Sequence, residues 1–228
     1  MTHRTLTTAL LAATFAVGTA AIASAENKPD PAADPTGTNP IAAVLTSDGD
    51  DFDRDSRDFD IVTQAALAVL DAKPESPVKV LTQGEVPLTV FAPDDMAFRI
   101  LAKDLTGKWI RDEEQLFTAL VETVGVDTIE QVLLYHVVPG ATVTYRAALG
   151  SNGAELNTAL DGTTVSVKVR KHWASWGKHH WVRWSWVQLL DNDTDDANPA
   201  VRKRVSDLNA GNVQIAHGIS RVLRPADL

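Results

Sequence analysis

The chain has 228 residues, 44% of them hydrophobic, with 21 Lys and Arg against 30 Asp and Glu, six Trp and no Cys. A chain of this length buries about 70% of the surface it exposes when unfolded, so a folded body is expected rather than disorder. The lack of Cys excludes a disulfide scaffold, a thiolate metal site and a cysteine nucleophile. The formal charge of -9 argues against a protein built to neutralise phosphates, and nucleic acid is not an expected partner.

Residues 1–25 read as a secretory signal peptide. His3 and Arg4 precede an apolar stretch from about Ala9 to Ile22, no acidic residue interrupts it, and Ala23-Ser24-Ala25 supplies a small-residue cleavage site. The stretch is too short and too rich in Ala and Thr to span a bilayer, and no later segment is apolar enough, so the expectation is a secreted chain that is not membrane-spanning. Together with the Pro/Asp-rich leader and the absence of Cys, this fits a bacterial secreted protein. Residues 26–38 hold no large apolar side chain, so ordering them would cost entropy with no burial to offset it; they read as a flexible leader.

An Asp-rich run then spans Asp48 to Asp58. Spaced carboxylates suit a hard cation, but neither this run nor Asp191 to Asp196 has the Gly at position six or the Glu at position twelve of a calcium loop. Both read as solvated loops, and no metal or other cofactor is expected. Phe59 to Leu70 is helical, with Phe59, Val62, Ala66, Val69 and Leu70 on one face and Asp58 as N-cap. Leu88 to Phe91 is a β-run stopped by Pro93, and Asp94 caps a helix burying Met96, Ala97, Ile100 and Leu101. A third helix starts at Asp112 and a fourth at Asp127, where Asp127 and Glu130 form a variant capping box before Val132 to Tyr135.

After Gly140 the period becomes two. Val165, Val167 and Val169 alternate with polar residues behind an Asp161-Gly162 turn. Further strands are predicted at Trp181 to Leu190, Val201 to Val205, Val213 to Ile215 and Ile219 to Leu223. Helices first and strands later indicate an α+β fold with an antiparallel sheet.

Three segments carry a family resemblance. Leu88-Thr89-Val90-Phe91-Ala92-Pro93-Asp94-Asp95-Met96-Ala97-Phe98 resembles the first conserved segment of fasciclin domains. Leu134-Tyr135-His136-Val137-Val138-Pro139-Gly140 resembles their central Tyr-His segment, and His217-Gly218-Ile219-Ser220-Arg221-Val222-Leu223-Arg224-Pro225 their closing segment. Order and separation match, over residues 39–228 as a single domain. The resemblance implies an antiparallel β-wedge packed against several helices, and a non-catalytic adhesion or protein-interaction module of the cell surface or matrix. It singles out Tyr135 and His136 as binding residues; packing at a helix end is the other role open to them. The family's Asn-Gly before the closing His is replaced by Val213 and Gln214, and its Asp after Ile by Ser220.

The insertion at about 170–200 is the larger departure. It holds Trp173, Trp176, Trp181, Trp184 and Trp186 beside His172, His179 and His180. No acidic residue lies between Asp161 and Asp191, whereas Lys168, Arg170, Lys171, Lys178 and Arg183 do. On alternating strands these Trp fall on both faces, and any not in the core offer flat rings, with Arg183 nearby, to a protein or glycan ligand. A carbohydrate-binding module is therefore the alternative to adhesion; a purely structural hairpin covering a sheet edge is also open. No nucleophile elbow, zinc-protease helix or phosphate loop is present, so no catalytic residue is assigned.

Overall fold

The structure, a computed structural model, describes residues 35–47, 49, 51–176 and 180–227, with backbone alone for 175, 176 and 180–182. The signal peptide and most of the leader lie outside the described residues. Chain order runs α1 (Ile41–Leu45), α2 (Asp60–Ala72), a 3-10 turn (Pro77–Thr82), β1 (Leu88–Pro93), α3 (Asp95–Thr106), α4 (Glu113–Tyr135) and β2 (Val137–Pro139). Then follow α5 (Tyr145–Gly150), β3 (Glu155–Asn157), β4 (Thr164–Trp176), β5 (His180–Leu190), a second 3-10 turn (Lys203–Val205) and β6 (Gln214–Ile219). This is an α+β fold.

β1 sits between β2, antiparallel to it, and β6, parallel to it. All six of its residues are buried, which is why Leu88 to Pro93 reads as one continuous run rather than an alternation. The Thr89 hydroxyl donates to Ala141 O at 2.8 Å and accepts from Val143 N at 2.9 Å, so this polar residue is satisfied inside. The second sheet, β3-β4-β5, is antiparallel throughout. The sheet containing β1 is thus mixed where a wholly antiparallel wedge was expected. The long excursion between β1 and β6 supplies the crossover that a parallel pair requires.

Several local expectations are corrected. Val201 to Val205 is not a strand: Val201 makes one bridge to Ile219, and the chain turns at Lys203–Val205. The two closing strands are one, β6. Ser220 takes the chain out of the sheet by holding Ala200, which donates to its Oγ at 3.0 Å and accepts from its amide at 3.1 Å. Asp58 does not cap α2; the Ile61 amide at its first turn donates instead to Asp95 Oδ1, from the start of α3, at 3.1 Å. The predicted third and fourth helices meet at Gly125, whose φ of 75° and ψ of 161° break α4. Asp127 and Glu130 beyond that break form no capping box but both engage Lys73 of α2, Glu130 at 2.7 Å. The leader's described end is anchored, since Gly37 N donates to Gly211 O at 3.0 Å and Gly37 O accepts from Val213 N at 2.9 Å. Asp94 and Asp112 cap α3 and α4 as their positions predict, accepting from Ala97 N and Gln115 N.

Two apolar clusters fill the body. The larger packs α1 to α4 against β1 through Ile41, Ile61, Val69, Leu88, Leu116 and their neighbours. The smaller lies between the sheets and holds Phe91, Tyr135, Val165, Val187, Leu189, Ile219 and Leu223. Gln214, fully buried at the start of β6, ties α1 and the first 3-10 turn to that strand: Oε1 accepts from Ile41 N at 2.8 Å, and Nε2 donates to Gln83 O at 2.7 Å and Val80 O at 3.0 Å.

Candidate interaction site

Tyr135 and His136 end α4, and both are buried. The Tyr135 hydroxyl donates to Thr164 O at 2.9 Å. Burial raises its pKa to about 12, the Asp191 charge adding to the effect. His136 Nδ1 lies 2.7 Å from Val132 O, while Nε2 accepts from Leu223 N at 2.9 Å. One ring nitrogen donates and the other accepts, which fixes a neutral imidazole with the proton on Nδ1. Burial pushes its pKa down to about 4. A ligand would have to open the domain to reach either ring.

The insertion forms the β4–β5 hairpin, paired from Ser166↔Leu190 to Trp176↔His180. Its base is core, with Val165, Val167, Val187 and Leu189 facing inward. By alternation Trp173 and Arg183 continue that inward face beyond the body, while His172, Trp184 and Trp186 lie on the reverse. Trp173 is 59% exposed and Trp184 46%; Trp186 is half-buried. Both faces of the outer hairpin are therefore open. Cross-strand partners dress the indoles: the Arg183 guanidinium stands 5.3 Å from the Trp173 ring centre, and the His172 ring 4.4 Å from that of Trp184. Arg170 is held by Gln188 at 2.7 Å. The side chains of Trp176, Trp181 and His180 lie outside what is described, as does His179. The structure thus brings Trp173, Arg183, Trp184 and Trp186 together on one projection and sets Tyr135 and His136 inside the body beneath its base.

The Asp191–Asp196 run is not the solvated loop its composition suggests, whereas Asp51, Asp53 and Asp55 of the first run are exposed. Asp193 is buried and accepts from Arg224 Nη1 at 3.2 Å, Asp191 accepts from Arg224 N at 3.0 Å, and Asp104 of α3 takes Nη2 at 2.8 Å. A buried guanidinium organises the second run, and nothing local announces that partner. In the first, Asp58 and Asp60 approach Asp53 on one side, and Asp58 approaches Asp95 and Glu113 on the other.

Among the described residues no helix is long and apolar enough to cross a membrane. Comparison with curated proteins gives no match. Among solved structures the chain is similar to a FAS1 domain pair from the insect cell adhesion molecule fasciclin I, at 15% identity and a TM-score of 0.41, over 72% of this chain and 43% of that one. The chain spans less than half of that domain pair. The model of the fasciclin domain matches residues 63–225, from α2 to the segment beyond β6 that closes on His136, and the chain belongs to that family.

Proposed function

We propose that the chain is a non-catalytic extracellular interaction module that adheres to a protein ligand through the outer half of the β4–β5 hairpin. The observation that carries this is the pair Trp173 and Trp184, open on opposite faces of a projecting, acid-free, cationic segment of an otherwise acidic protein. Large exposed indoles contribute little to a monomer, whereas Trp and Arg dominate the energetics of protein interfaces. Arg183 over Trp173 and His172 against Trp184 hold the rings in place before contact, which lowers the entropy lost on binding. Tyr135 and His136 act from within, fastening the base of the hairpin and the chain end.

A glycan ligand is the second reading. Trp184 and Trp186 share one face, and flat indoles stack on sugar rings. Retention of the purified protein on intact cells, before and after protease treatment, together with a glycan array, separates the two. Protein adhesion predicts retention that protease removes and that Trp173→Ala/Trp184→Ala loses while folded. Protease-resistant retention with array signals lost in Trp184→Ala/Trp186→Ala establishes the glycan reading. Undiminished retention by both variants contradicts both.

A further inference from the structure

Beneath the loop that joins α1 to α2, carboxylates are gathered with too few donors to satisfy them. Asp95 is fully buried; its Oδ1 accepts from Ile61 N, and its Oδ2 receives no hydrogen bond. Asp58 Oδ1 is likewise buried and without a donor. One oxygen each from Asp58, Asp95 and Glu113 lies within 4.8 Å of the other two, and Asp58 meets Asp53 and Asp60 within the same limit. Arg99 neutralises one charge, its Nη2 lying 2.9 Å from Glu113 Oε1.

Buried carboxylates without donors are costly, and two conditions relieve them: a shared proton or a bound cation. The backbone is fixed around the orphan oxygens. Asp95 N donates to Asp58 O at 3.3 Å, Met96 N to Ser56 O at 2.9 Å, and Glu113 Oε2 accepts from Asp53 N at 2.7 Å. The loop is thus fastened to the starts of α3 and α4, so the oxygens are held together by the scaffold rather than by one another. Oxygens around one calcium ion lie about 2.3–2.6 Å from the metal, which allows any two in the shell to be up to about 5 Å apart. The trio meets that condition.

We propose that Asp58, Asp95 and Glu113 form a binding site for a hard divalent cation, calcium in preference to magnesium. Three carboxylates from three elements, the loop and the starts of α3 and α4, suit calcium's large, flexible shell, whereas magnesium retains most of its water and takes one or two carboxylates. The bound ion would pin the loop to two helix starts.

The test uses the full chain, stripped with chelator and titrated with calcium or magnesium chloride at pH 7.5 by calorimetry and thermal unfolding. Expected are one calcium per chain and a rise in Tm of about 5 °C at a hundredfold excess over Kd, with a smaller response to magnesium. Asp95→Asn, which copies the protonated acid, abolishes both signals, and Asp58→Asn weakens calcium binding at least about tenfold. Should Asp95→Asn fail to fold, Asp58→Asn decides alone. Asp195→Asn, in the separate Asp193, Asp195 and Asp227 group, leaves binding unchanged. A wild type indifferent to calcium, or calcium binding that survives Asp58→Asn or disappears in Asp195→Asn, overturns the site; the first result leaves a proton shared between Asp95 and Asp58.

Discussion

The Tyr135 hydroxyl donates to the Thr164 carbonyl at 2.9 Å, tying the last residue of α4 to the first residue of β4. The next residue, His136, reaches in the same way to Leu223 at the far end of the chain. Two adjacent side chains therefore couple the helical layer to the hairpin that projects from it and to the segment that closes the domain.

Removing only the hydroxyl isolates the first of these ties. Tyr135→Phe is expected to cost about 1–2 kcal/mol by leaving Thr164 O short of a donor, and to lower Tm by about 3–5 °C in thermal unfolding. Binding by the hairpin persists in this variant below its Tm.

His136 gives stability a pH dependence of definite sign. Its folded pKa, about 4, lies below the unfolded value of 6.5, so the unfolded chain takes up a proton that the folded chain refuses. The contribution is fully present above about pH 6.5 and is lost as pH falls toward 4, amounting to about 3 kcal/mol. Asp58 and Asp95, with raised values, oppose it in metal-free protein, since their contribution is lost as pH rises. Urea unfolding of wild type and His136→Gln across pH 4–7 isolates the histidine: the difference in stability grows with pH through this window. A difference independent of pH contradicts a neutral buried imidazole.

Gln214 is expected to be among the most sensitive polar positions. Gln214→Ala deprives Ile41 N of its acceptor and Val80 O and Gln83 O of a donor, and opens a void in a fully buried site. A loss of about 3 kcal/mol or more is predicted. Hydrogen exchange shows whether α1 and the Pro77–Thr82 turn loosen first, as their shared dependence on this side chain requires.

Much of this architecture was legible because its signals are local. Pro93 and Asp94 mark the end of β1 and the start of α3 within one short segment, and Asp161-Gly162 with the alternating valines marks β4. The parallel partner of β1 was not legible, because Gln214 to Ile219 carries no sign of the direction in which it pairs. Asp127 and Glu130 have capping-box spacing, yet Lys73 on another helix claims both. The candidate hairpin was visible as composition, but its exposure depends on where the core stops, at Val167 and Val187, and that is a tertiary fact. Asp95 offered no local clue at all: its role at the start of α2 and its approach to Asp58 and Glu113 exist only once three elements meet.

Arg224 holds the closing segment against α3 and the Asp191–Asp196 loop. Arg224→Met is expected to destabilise the protein by about 3–5 kcal/mol at neutral pH, because it leaves Asp193 and its neighbours buried without a counter-charge. The deficit narrows as pH falls and those carboxylates protonate, which chemical denaturation at pH 7 and pH 4.5 would register.

The proposed adhesion requires that the projecting hairpin make the contact. The direct measurement is the affinity of Trp173→Ala/Trp184→Ala for intact cells, on protein whose circular dichroism and Tm match wild type. At least about a tenfold loss is predicted, because exposed aromatic anchors carry most of such an interface. Wild-type affinity in the folded variant would contradict the assignment of the hairpin as the contact surface.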